Sequence, residues 1–317
     1  MTKFNERIFR GLDDEFFKEL KEGMLSCILD YQRKYRKSFL VEIRDDFLDL
    51  YFLGHGILVR RTSDNRYYLS ASKAFNPKDI LEGINIKESE KSGVWKIFFD
   101  EIEGHFEDIM NAIIAKIIMH RHGDISEGVS EMNHFIDNRE KTTRNGILII
   151  DRQVSYPGMG GRMDLLGLKR MQSGDFTFAI VELKNRNNSE IAEVYSQVSR
   201  YIDDLYEEDT YERFAETYRY VMDQKIELGL LRKISGDIVP FGEITKKDIE
   251  GIVILDDYDI KAELKPKSLL MRALKNWSEV GSEYNLKLFI KTNVLDSTFF
   301  LNRKEAAALL VRYKKSN

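Results

Sequence analysis

Gly161-Arg-Met-Asp-Leu-Leu-Gly-Leu168 and Phe176-Thr-Phe-Ala-Ile-Val-Glu-Leu-Lys184 are two apolar runs joined by a polar link. A strand covered on both faces reads as a near-continuous hydrophobic run, so the charges that end the second run need a physical reason. Side chains alternate along a strand, which puts Glu182 and Lys184 on one face and Leu183 on the other. Leu183 then packs, and its carbonyl is left as an oxygen donor. Asp164 sits on the preceding strand, and Ser173-Gly174-Asp175 supplies turn chemistry between the two. A hairpin of this kind brings the Asp164 and Glu182 carboxylates within reach of one cation. Hard oxygen donors with no His or Cys beside them select magnesium or manganese rather than zinc. Lys184 then positions or helps deprotonate a water, or neutralises charge on a phosphate.

Asp164 followed by Glu182-Leu-Lys184 at the end of a hydrophobic strand resembles the PD-(D/E)XK nuclease superfamily, with Met163 standing where the family name has proline. Gln197 and Tyr201, on a helix that opens near Asn188-Ser189, resemble the Gln-x-x-x-Tyr motif of its RecB-like branch. The resemblance is best from Glu127 to Leu205, extends at most to Thr292, and does not cover the first hundred residues. It implies a restriction-endonuclease-like α/β fold, a mixed sheet flanked by helices. It also implies a magnesium (or manganese) dependent nuclease, with DNA favoured over RNA as substrate. Asp164 and Glu182, aided by the Leu183 carbonyl, would hold the metal, and Lys184 would complete the catalytic set. The bland alternative is an ion pair at a strand end.

Accessory positions carry two readings each. Ile191, Val194, Val198, Ile202 and Leu205 form an apolar stripe that includes Tyr201 and has Gln197 at its edge. Tyr201 is thus either a core tyrosine with a bonded hydroxyl or a substrate contact, and Gln197 is expected to have a specific partner. Asp124-Ile-Ser-Glu127 is a capping-box-like start for a helix through Asn138. The superfamily often draws one more acid from this first helix, which makes Glu131 a candidate against a solvated-face reading. Asp151, inside the strand Ile147 to Val154, is another.

With 317 residues and 43% hydrophobic content the chain suffices for two domains with sizeable cores. A formal charge of −4 leaves nucleic-acid binding to a local patch. Arg162, Lys169, Arg170, Lys184, Arg186 and Arg200 offer one, although such residues are also simply solubilising. The single cysteine, Cys27, excludes an intramolecular disulfide and fits a reducing, cytoplasmic setting. The longest greasy stretch, Ile109 to Met119, is interrupted by Lys116 and has the spacing of a soluble helix, so no membrane segment is expected. His120 and His122 at its end complement the helix dipole.

Residues from Phe9 to Arg36 read as helical, and Ser38 to Phe75 as an antiparallel meander with turns at Asp45-Asp46, Gly54-His-Gly56 and Ser63-Asp-Asn65. This predicts a small α+β domain over residues 1–100. Tyr35, Arg36, Lys37, Arg60, Arg61, Arg66, Tyr67 and Tyr68 give it a surface for nucleic acid, a partner or a second copy. Residues 101–317 then form the nuclease-like domain, with a charged helical insertion over 207–231 that either covers the cleft or extends the helical layer. Two function classes follow: a metal-dependent phosphodiesterase, or a catalytically silent nuclease-like module that binds nucleic acid or assembles a defence or repair complex.

Overall fold

The computed structural model describes residues 8–80, 86–89, 93–102, 104–120, 127–138, 146–156, 160–185, 188–256, 268–291, 298–301, 303–304, 307–308 and 311. Asp124, Ser126, His122, Arg186 and Thr292 lie outside them. The chain divides into two compact units, residues 1–132 with 216–233, and residues 133–215 with 234–317. The sequence places a single cut near residue 100. The structure instead divides two helices, α4 (Glu127–Asn138) and α6 (Glu208–Glu227), between the units.

The first unit opens with α1 (Asp14–Glu22) and α2 (Ser26–Lys34), not with one helix through Arg36. Asp13 caps α1 by accepting from the Phe16 N–H, and Gly23 ends it. Strands β1 (Phe39–Ile43), β2 (Leu48–Phe52), β3 (His55–Arg61) and β4 (Tyr67–Ser72) form the expected meander. Two further strands, β5 (Lys87–Ser89) and β6 (Val94–Phe98), complete a six-stranded antiparallel sheet of order β1-β2-β3-β4-β6-β5. The β2–β3 turn is Leu53-Gly54, with φ of 48° and 80°, the two-residue geometry that matches strand twist. His55 and Gly56, read as turn residues in the sequence, therefore begin β3.

One face of this sheet is apolar: Phe39, Val41, Leu48, Leu50, Ile57, Val59, Leu69, Trp95 and Ile97 are all buried. Helices α1, α2 and α3 (Phe106–Met119) pack there, with Phe16 edge-on to Tyr67 and Tyr31 edge-on to Phe39 and Phe106. Tyr67 is accordingly a core residue and not a surface one. On the opposite face the buried pair Lys225–Glu42, at 2.7 Å, ties the second half of α6 to β1.

The second unit is a mixed sheet of order β12-β11-β10-β9-β8-β7. Strands β7 (Ile147–Val154), β8 (Met163–Arg170) and β9 (Phe176–Asn185) are antiparallel. Next, β10 (Glu250–Asp256) and β11 (Asn285–Lys291) run parallel to β9, and β12 (Thr298–Leu301) closes the edge antiparallel. Every residue of β9 from Phe176 to Lys184 is buried, which is why the strand reads as an apolar run. Helix α5 (Val194–Leu205) lies close on β10 because Gly251 has no side chain. A Cβ there would come within 2.7 Å of Val198 Cγ1 and 3.1 Å of Ile202 Cδ1. Phe178 packs edge-on against Tyr211 and Phe214 of α6, so the first half of that helix extends the helical layer of this unit.

Helix α7 (Leu269–Glu279), capped by Ser268, packs beside α5 through Tyr195 stacked on Trp277 at 4.7 Å. The Tyr195 hydroxyl is fully buried and has no hydrogen-bond partner among the described residues. Burial holds this phenol well above its ordinary pKa, so it stays protonated and unsatisfied. Tyr195→Phe keeps the ring stack and removes the orphaned group. It should therefore raise stability by about 1 kcal/mol in a denaturant melt. A loss of similar size would show that the hydroxyl has a structural partner.

Candidate active site

The β8–β9 ladder places the three charged residues of the motif together. Leu165 pairs with Val181, the last registered pair, and the same register sets Asp164 opposite Glu182. Directly opposed residues share a face, so Asp164, Glu182 and Lys184 project to one side of the sheet. Beyond this pair the strands are joined by a side chain: Asp164 Oδ2 accepts the Leu183 backbone N–H at 2.8 Å. In a strand the carbonyl of a residue lies on the same edge as its N–H, which leaves the Leu183 carbonyl beside Asp164.

Glu182 and Lys184 are both almost completely buried, at 1% and 5% exposure. Lys184 Nζ donates to Glu182 Oε1 at 2.8 Å and to Glu190 Oε2 at 3.2 Å. Burial by itself pushes the lysine pKa down. The charge and hydrogen bond of Glu182, then Asp164 and Glu190, outweigh that and hold it above the ordinary value. Lys184 is thus a fixed cation at neutral pH. Held by these carboxylates, it is placed to attract an oxyanion.

Helix α5 supplies the next layer. Asn188 accepts from the Glu190 N–H and starts a short 3-10 turn over Ser189–Glu193 that runs into α5. From α5, Gln197 Nε2 donates to Glu182 Oε1 at 2.8 Å and to the Tyr201 hydroxyl at 2.9 Å. Tyr201 OH in turn donates to the Arg162 carbonyl at 3.0 Å. Of its two sequence readings, Tyr201 takes the core one: it is buried, its hydroxyl is bonded, and burial holds its pKa up. Gly161 permits this approach, since a Cβ there would lie 2.6 Å from the Tyr201 oxygen. Gln197 is half-buried and orients Glu182, so Gln197→Ala should cut turnover about tenfold or more, as losses of ligand-orienting partners do. Its stability cost should be about 1 kcal/mol. Melting curves and rates on one preparation decide between roles: a lowered melting temperature with unchanged rate would make Gln197 purely structural.

The remaining sequence candidates are more scattered. Asp151 is fully buried on β7, on the same face as Asp164, and its Oδ1 accepts the Arg152 N–H at 2.7 Å. Gln153, between the pairs Arg152↔Leu165 and Val154↔Met163, faces Asp164 across the ladder with φ of 50°. Backbone of that kind is costly for a residue with a side chain and concentrates at functional sites. Glu131 lies in the first unit and is buried, not on a solvated face. The five described residues of the basic patch do not gather at one place. Lys169 is about 17 Å along β8 from Asp164 by strand rise, where it pairs with Glu250. Arg170 holds the β8–β9 turn through the Gly174 carbonyl. Arg200 is exposed and bonds its own helix, while Arg162 is an exposed cation near the site.

Glu190, a partner of Lys184, is a site residue that the sequence pattern does not single out. The 3-10 turn that points it back has no periodic signature. Among the described residues no helix is long and apolar enough to cross a membrane.

No family model matches the chain, and no curated protein matches it. Among solved structures, the crystal structure of a repair endonuclease from Pyrococcus abyssi is similar at 12% identity over 73% of this chain and 84% of that chain, with a TM-score of 0.20. A likeness at that level does not fix a function, which has to come from the side chains.

Proposed function

We propose that the second unit is a divalent-metal-dependent phosphodiesterase that cleaves DNA. The observation that carries this reading is the closure of Asp164 onto the Leu183 N–H, which sets its carboxylate beside the Glu182–Lys184 pair where the β8–β9 ladder ends. Among the described residues no three His, Cys, Asp or Glu side chains converge as a ready-made metal centre. Two carboxylates and the Leu183 carbonyl are all hard oxygen donors, and they suit magnesium or manganese, which keep several waters as ligands. Bound there, such a metal would supply Lewis acidity and offset charge on a phosphoryl oxygen.

The protein's own groups have distinct tasks. Gln197 and Lys184 hold Glu182 in one orientation, and Lys184 presents a positive charge to the phosphate or positions the attacking water. The PD-(D/E)XK resemblance supports the same assignment and favours DNA over RNA, by analogy alone.

The test is cleavage by the purified chain of labelled linear duplex, single-stranded, branched and mismatched DNA, and of RNA, with magnesium, manganese or chelator. Products should form on DNA with either metal and stop on chelation. Full activity after exhaustive chelation would contradict the metal assignment, and cleavage of RNA alone would overturn the substrate.

A further inference from the structure

On the second face of the first unit's sheet, β1 is covered through the buried Glu42–Lys225 pair, while the part built from β3, β4, β6 and β5 carries a different set of side chains. Cross-strand partners Arg60 (β3), Tyr68 (β4) and Phe98 (β6) lie on it in one row, and Lys96 (β6) and Lys87 (β5) lie opposite each other in the next. Burial along β6 alternates between buried Trp95 and Ile97 and half-buried Val94, Lys96 and Phe98, so this side meets solvent. Each cation sits over a ring: Arg60 over Phe47 at 4.7 Å, Lys96 over Tyr68 at 4.5 Å and Lys87 over Phe98 at 4.9 Å. The rings fix where the charges stand, at a modest cation–π gain.

Several other cations of this unit are neutralised by carboxylates. Arg61 is bound by Asp13, Glu15 and Asp46, Arg66 by Asp100, and Lys34 by Glu107. Arg60, Lys87 and Lys96 have no carboxylate within ion-pair distance among the described residues. Like charges directly opposite across a ladder destabilise a sheet, and Lys87 and Lys96 are such a pair. A polyanion laid along the strands would relieve that repulsion.

We infer that Arg60, Lys87 and Lys96 form a phosphate-binding platform for the backbone of DNA. This rests on the proposed nuclease function only for the identity of the polyanion. Tyr68 is nearly buried and the rings are capped by cations, so the face offers charge to a backbone and not open rings to stacked bases. Binding is therefore independent of sequence and strongly salt-dependent.

The experiment measures affinity of the full chain for labelled DNA duplex and its single strand in chelator, across a salt series. It compares the wild type with Arg60→Ala/Lys87→Ala/Lys96→Ala and with a control that removes three exposed lysines elsewhere, Lys18→Ala/Lys78→Ala/Lys247→Ala. The platform variant should lose about 2 to 3 from the slope of log affinity against log salt, and the control almost none. Its melting temperature should be kept or raised. Equal slopes for the two variants would overturn the proposal, and so would a platform variant that binds DNA as the wild type does while its affinity for vesicles of anionic lipid falls. Because chelator prevents turnover, a failed cleavage assay leaves this result readable. Normal salt slopes with intact cleavage sink the platform alone.

Discussion

Glu182→Gln should lower the cleavage rate by about 10³-fold or more while leaving the fold in place. The amide keeps the shape of the side chain and one oxygen for the Lys184 and Gln197 hydrogen bonds, so the network persists at some cost in stability from the lost charge, with Glu190 still paired to Lys184. What disappears is a carboxylate charge at the metal-holding position, and metal assistance of a phosphoryl reaction contributes several kcal/mol to the transition state. At about 1.4 kcal/mol per tenfold in rate, that sets the size of the loss. DNA affinity measured without metal should be unchanged or improved, because one negative charge facing phosphate is gone. Rates, binding and melting curves on one preparation check all three. A rate within a few-fold of the wild type would remove Glu182 from the chemistry.

Lys184→Met should cost both activity and stability. Methionine preserves most of the volume but removes the cation from a buried pair, leaving the Glu182 carboxylate in a nearly dry site. Breaking such a pair on one side costs about 3 kcal/mol, or about 10 °C of melting temperature for a unit of this size. Replacing both partners by apolar residues is far less harmful, so Glu182→Met/Lys184→Met should regain most of the stability and none of the activity. The pH dependence has a definite sign. The native lysine pKa lies above its ordinary 10.5, so the pair stabilises fully at lower pH and is lost as pH rises through the higher native value. The margin of wild type over Lys184→Met should stay constant from neutrality to about pH 10.5 and shrink only beyond it.

The hairpin at the centre of the second unit was readable because strand alternation is a two-residue code. Glu182 and Lys184 had to share a face, and an apolar run ending in charge marked where it opens. The meander of the first unit was readable for the same reason. Three features were not. Gly23 breaks the first helix, yet the apolar spacing continues across the break into α2. Strands β5 and β6 are short, and only the pairing of β6 with β4 and of β5 with β6 defines them. The six basic residues expected around the site were grouped by nearness in sequence, but five steps along a strand carry Lys169 to the other end of the sheet. Glu131 shows a further limit: edge positions of a helical wheel do not say what the rest of the molecule lays over them.

Two carboxylates at the open end of one hairpin carry the proposed chemistry, and a single comparison tests them most directly. Labelled duplex DNA is incubated in magnesium with purified wild type and with Asp164→Asn, each shown by its melting curve to be folded. Products should form with the wild type and none above background with Asp164→Asn. Equal cleavage by the two proteins would contradict the proposed chemistry.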